Sequence, residues 1–198
     1  MKYALATLLI FASASACYAG AITEVFVDPS LDSDTGAGTI GDPYGDLEWA
    51  MEQETIGADG TRMNIKAGSA EVLEFALDVT DLGTLSTAKQ LIFQGYTSAQ
   101  GDGGKCEISG GGSVSIISST TVDHVHFIDC KLGNTGSARI IQLDDWCSMV
   151  RSEFHTCSEV RPVVLGSNCS VYGCWFHSCT GSPTDNDALL YVVHSCAV

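Results

Sequence analysis

Two eleven-residue stretches, CSMVRSEFHTC (Cys147–Cys157) and CSVYGCWFHSC (Cys169–Cys179), decide how this chain folds. They lie 22 residues apart and share Cys at both ends, Ser in second place, and Phe-His in eighth and ninth. The pattern extends outward. Phe-x-x-Cys occurs at Phe127–Cys130, Phe154–Cys157 and Phe176–Cys179, in steps of 27 and 22. Cys147, Cys169 and Cys196 step by 22 and 27. Four residues before them stand Leu143, Leu165 and Val192, and six before stand Ile141, Val163 and Leu190. Carried back one turn to Thr120, the same offsets reach Ile116 and Val114.

Within a copy the apolar residues alternate. Val171, Cys174, Phe176 and Cys179 point one way, and Tyr172, Trp175 and His177 the other, with a turn or bulge at Gly173. Alternation of period two means strands. Short strands in repeating units of 22 to 27 residues mean a solenoid. Its equivalent residues stack in ladders roughly 4.8 Å apart. The inward ladders predicted are Phe127/Phe154/Phe176 and Val114/Ile141/Val163/Leu190. The outward ones are His126/Glu153/Trp175, Ile128/His155/His177 and Asp123/Val150/Tyr172.

Upstream, MNIKAG (63–68), EVLEFALDV (71–79), KQLIFQGY (89–96) and CEISG (106–110) read as earlier strands. One helix precedes them: Pro43 and Asp46 suit its start, and Leu47, Ala50 and Met51 give an apolar stripe at i, i+3, i+4. Its predicted job is to cover the apolar end of the solenoid. The first residues read as an export signal, with Lys2, the apolar run ALATLLIFASASA and small residues before Ala19. Cys17 offers lipid anchorage as the alternative. The division predicted is 1–19 signal, 20–60 strand, loop and capping helix, and 61–198 coils. No later apolar run is long enough for a membrane span.

The 198-residue chain carries 24 acidic against 9 basic side chains, a net charge of −15. Nucleic acid, whose phosphates call for Lys and Arg, is excluded as a partner. Hydrophobic residues make up 45%, enough for a core and too many for a disordered polyanion. Cleavage after Ala19 would leave 8 of 9 cysteines. Stacked thiols and one or two disulfides between coils are both open, in an oxidising compartment. Zinc needs four converging ligands, and alternation turns His177 away from Cys174.

EVFVDPSLDSDTGAGTIGDPYGDLEWAM (24–51) resembles the opening of right-handed parallel β-helix proteins of the pectate-lyase-like superfamily. The matching residues are Val27-Asp28-Pro29, Asp32-Ser33-Asp34, Gly38-Thr39, Pro43 and Leu47. MNIKAG, then KQLIFQGY followed by GDGGKCEISGGG, continue the likeness over almost all of the chain after the signal. The resemblance implies an all-β, right-handed parallel β-helix with a short N-terminal capping helix. It also implies more coils than this stretch holds, so the C-terminal end is expected to be uncapped or truncated and open to self-association. Polysaccharide is the partner implied, with Ca2+ as an accompanying ion in the family's lyases. No lyase signature carries over residue by residue.

The outward strip gathers the candidate chemistry. Tyr172, Trp175 and His177 are candidate glycan contacts, since sugar rings stack on aromatic faces and bond to polar neighbours. Glu153 and His155 could act as an acid–base pair, and Arg151 is the basic candidate beside them. For Ca2+, Asp144-Asp145 and Asp32-x-Asp34 are candidates, though Asp is equally common in turns. Asn168-Cys169-Ser170 matches a glycosylation sequon. Two functions follow: an exported, secreted or surface β-helix that associates with polysaccharide, as a lyase or hydrolase or without turnover; or a non-catalytic adhesion or structural β-helix.

Overall fold

The computed structural model describes residues 21–31, 33–80, 82–118, 122–136, 138–158, 162–179 and 190–192, the last three and residue 118 by backbone alone. The expected signal (1–19), Cys17, Asp32, Thr120 and Cys196 lie outside the described residues.

The strands, in chain order, are β1 (Thr23–Val27), β2 (Thr61–Lys66), β3 (Ala70–Val72), β4 (Leu91–Tyr96), β5 (Cys106–Ser109), β6 (Ile117–Ser118), β7 (Val125–Ile128) and β8 (Cys130–Gly136). β9 (Ile141–Leu143), β10 (Ser148–Val150), β11 (Glu153–Cys157), β12 (Val163–Leu165), β13 (Ser170–Tyr172), β14 (Trp175–Cys179) and β15 (Leu190–Val192) follow. Among the described residues they form three sheets, ordered β1-β2-β4-β7-β10-β13, β3-β5-β8-β11-β14 and β6-β9-β12-β15. Every strand pair is parallel. From β8 onward the chain visits second, third and first sheet in turn, so each parallel crossover is itself built of strands. The protein is thus mostly β, all-parallel, with one α-helix among the described residues. That architecture is compatible with a parallel β-helix.

Alternation decides what each strand buries. Met63, Phe93, Phe127 and Met149 enter the core from the first sheet, Ile108, Leu132 and Phe154 from the second, and Ile117, Ile141 and Val163 from the third. They form one cluster. Stacking repeats side chains: Phe93 lies on Phe127 with centroids 4.9 Å apart, and Phe154 on Phe176 at 4.6 Å. The corner from first to second sheet holds a left-handed residue in three successive coils, at Asp129 (φ 55°), Arg151 (φ 51°) and Gly173 (φ 63°). Only the last is free of the Cβ penalty there. The turn expected at Gly173 is this corner.

The helix, α1 (Leu47–Gln53), is capped by Asp46, whose side chain accepts from Trp49 N at 2.6 Å. Leu47, Ala50 and Met51 are buried against the core cluster, as their spacing predicted.

Register departs from the predicted ladders in the earliest coil. Phe127 opposes Phe93 and Met149, whereas Phe154 opposes Leu132 and Phe176. Phe127-x-x-Cys130 crosses the corner at Asp129, while Phe154-x-x-Cys157 runs within β11, so the two motifs are not equivalent. His126 therefore opposes Ser148 rather than Glu153, and Ile128 opposes Val150 rather than His155. Cys130 opposes Cys106. The partner of Ile141 is Ile117, not Val114. The predicted strand over 71–79 ends at Val72. Beyond it the carboxylate of Glu48 accepts from Glu74 N (3.0 Å) and Phe75 N (2.8 Å), replacing ladder bonds. The ladders Glu153/Trp175, His155/His177 and Ile141/Val163/Leu190 stand as predicted.

Candidate functional site

The outward side of the second sheet holds most of the predicted site residues. Strand period two places Glu107, Lys131, Glu153 and Trp175 in one column, and Gly133, His155 and His177 in the next. Glu153 is only 14% exposed. Its Oε2 lies 3.7 Å from Lys105 Nζ, and its Oε1 lies 4.0 Å from His177 Nε2. The imidazoles of His155 and His177 stack with centroids 5.7 Å apart and planes at 13°. Trp175 sits 5.3 Å from His177 and is 64% exposed.

His155 leans the other way, its Nε2 reaching to 4.0 Å of Glu107 Oε1, too far for a hydrogen bond. Burial pushes its imidazole below the ordinary histidine range, and Glu107 and Glu153 only partly restore it. The ring has room because the opposing residue is Gly133. A Cβ there would stand 1.9 Å from the His155 carbonyl oxygen and 3.0 Å from ring carbon Cδ2. Gly133→Ala is accordingly expected to cost about 1–3 kcal/mol through overpacking. It should also turn the His155 ring, read as a displaced Hδ2 resonance by NMR; an unmoved resonance and unchanged urea midpoint would refute it.

Arg151 stands at the sheet corner and is occupied. Its Nε and Nη2 donate to Asp129 Oδ1 (2.8 Å) and Oδ2 (2.6 Å), a bidentate pair on a buried carboxylate. That pair raises the Arg151 pKa further, so the guanidinium is a cation and not a proton acceptor. Tyr172, 58% exposed, lies on the first sheet around the Gly173 corner from Trp175. The structure thus brings together Glu153, His155, Trp175 and His177, sets Tyr172 on the adjoining face, and ties Arg151 to Asp129.

Lys105, Glu107 and Lys131 were not among the sequence candidates. Lys105 precedes β5 and reaches across to β11, a contact no local spacing signals. Glu107 and Lys131 would have emerged from aligning Cys106 with Cys130, which sets Glu107, Lys131, Glu153 and Trp175 in register.

Of the Ca2+ candidates, Asp32-x-Asp34 lies partly outside the described residues, at Asp32. Among the described residues no three His, Cys, Asp or Glu side chains converge as ligands. Asp145 Oδ1 already accepts from Ser167 N, and Asp123 Oδ1 from Asp145 N at 2.8 Å. A cleft of about 650 Å³, lined by Asp34, Glu48, Trp49, Phe75 and Asp78 among others, lies between α1 and the loop after β3, apart from this face. Among the described residues, no helix is long and apolar enough to cross a membrane.

No protein-family model, no curated protein and no solved structure matches this chain.

Proposed function

We propose that this chain is an exported right-handed parallel β-helix of the pectate-lyase-like kind, with α1 covering its N-terminal end, that associates with polysaccharide through its second sheet. The observation carrying the reading is Trp175: a ring 64% exposed, on a rigid strand, beside His177 and Glu153. An exposed indole next to polar groups suits a sugar ring, which offers an apolar face and hydroxyls at its rim. Tyr172 extends the platform around the corner.

Association without turnover is the better-supported form. Glu153 is ion-paired to Lys105, and Arg151 is held by Asp129, so neither is a free base. Affinity electrophoresis in gels containing soluble β-glucan or polygalacturonate tests this. The unaltered protein should be retarded in at least one gel, and Trp175→Ala should lose roughly tenfold in affinity, the size expected for one aromatic stacking contact. Equal mobility of the unaltered protein in every gel and in the blank would sink the proposal. Release of unsaturated uronates would instead establish a lyase.

A further inference from the structure

Among the cysteines of the described residues, Cys106 touches Cys130, and Cys147 likewise meets Cys169. Cys106 of β5 and Cys130 of β8 are opposite partners in the second sheet, both fully buried, with Sγ atoms 3.3 Å apart. Adjacent strands run about 4.8 Å apart, inside the roughly 4.4–6.8 Å Cα range that a disulfide spans. The next places in this column are Ser152, whose hydroxyl accepts from Cys130 N at 3.3 Å, and then Cys174. Ser152 therefore separates Cys174 from Cys130, and Cys106 is left as Cys130's neighbour.

We propose that Cys106 and Cys130 are joined by a disulfide that forms while their strands are still apart and then staples β5 to β8. The reaction is thiol–disulfide exchange with a small external disulfide such as oxidised glutathione. One cysteine thiolate attacks a glutathione sulfur and releases one glutathione thiolate. The other cysteine then displaces the second glutathione as the protein S–S bond forms. Two protein thiols are oxidised, one external disulfide is reduced to two thiols, and the two protein thiol protons end on the two glutathione thiolates. The sulfurs move from 3.3 Å to about 2.0 Å, and the weak S–H bonds from Cys130 to the carbonyls of Ile128 and Phe93 are given up.

The timing follows from burial. Once β8 lies on β5 neither sulfur meets solvent, and burial beside Cys106 pushes the Cys130 thiol well above its ordinary range. In the folded protein the Cys130 thiol thus resists ionisation, and burial closes both sulfurs to an external disulfide. The bond closes only during folding, and once made it is shielded from reductant in the same way.

The sequence supplies a clean readout. Trypsin cuts after Lys105 and Lys131, and the peptide 106–131 contains Cys106 and Cys130 as its two cysteines. The protein is refolded from urea in a mixture of reduced and oxidised glutathione, then alkylated with iodoacetamide in denaturant. In a parallel arm the reduced, folded protein meets the same mixture without unfolding. Peptide 106–131 should emerge unalkylated and two hydrogens lighter from the first arm, and doubly alkylated from the second. The oxidised protein should melt roughly 5–10 °C higher, a gain absent from Cys106→Ser. Double alkylation after refolding, a partner other than Cys106 for Cys130, or a cross-link with no gain in Tm would each overturn the proposal. So would rapid cross-linking in the folded arm. If Cys106→Ser does not fold, the mass of peptide 106–131 from the unaltered chain still decides.

Discussion

Replacing Phe127 by alanine is expected to lower the free energy of unfolding by about 3–5 kcal/mol, the range for removing a buried phenylalanine from a close-packed core. Phe127 is fully buried, and its ring lies on Phe93 at 4.9 Å and 14°. The stacked parallel strands add a second expectation. Since each coil packs chiefly on its neighbours, the loss should couple vertically. A double-mutant cycle between Phe127→Ala and Phe93→Ala should return about 0.5–1.5 kcal/mol of interaction, the scale of a stacked aromatic pair. A cycle between Phe154→Ala and Phe176→Ala, also stacked, should return a similar value. Urea unfolding of the single and double variants measures both. A loss below 1 kcal/mol for Phe127→Ala, or strict additivity with Phe93→Ala, would contradict the register described above.

That register marks what was legible beforehand. Between the two quoted stretches the coil is regular: the same corner and the same inward Phe recur 22 residues apart, and every ladder drawn between them stands. One coil earlier, the match on Phe and Cys was chemically persuasive and geometrically wrong. Phe127 and Phe154 are both buried and both three residues ahead of a buried Cys, but one precedes the corner and the other follows it. Residue type reports burial, and it does not report which sheet does the burying. A left-handed corner occupied by Asp129 and Arg151 instead of glycine carries no compositional flag. The same limit applies to the site. Trp175, His177, Glu153 and His155 announced themselves by alternation, while Lys105 and the Asp129–Arg151 pair depend on neighbours from other coils.

The Asp129–Arg151 pair also shows why the corner tolerates two strained residues. Asp129 backbone N–H donates to Val150 O, its carbonyl accepts from Cys106 N, and its carboxylate holds Arg151 one coil on. Three consecutive coils are thus tied at one point, on the same edge that presents Trp175. The strain at φ 55° and 51° is offset by hydrogen bonds that a regular strand residue in that place would not make.

Acidification from about pH 6.5 to about pH 4 is expected to remove about 3 kcal/mol of stability through His126, and His126→Gln should abolish that part of the loss. The residue faces outward on β7, between Ile92 and Ser148 of the flanking strands, neither of which can hold a charge. Its Nδ1 meets Ser148 Oγ at 2.7 Å, and its Nε2 is shut from water with no hydrogen-bond partner. In either tautomer, protonation leaves the ring with one more N–H than the site can satisfy. Burial, and then the nearby His124, push the pKa down to about 4. The sign follows. Above about 6.5 the ring is neutral in both folded and unfolded chains, and stability is complete. Below that the unfolded chain takes the proton first, and each pH unit costs about 1.4 kcal/mol. Near 4 the folded ring protonates as well, and the decline through this group stops. His155, also lowered by burial, acts in the same sense; Asp144, raised by burial and by Asp145 and Asp123, acts in the opposite one. Asp28 and Asp78, held below the usual carboxylate range, begin to lose their contribution only under about pH 4, outside this window. Urea midpoints of the two proteins from pH 7 to 4 should therefore diverge and then run parallel. An Hε1 resonance of His126 titrating near 6.5 would show that the ring is solvated and would refute the prediction.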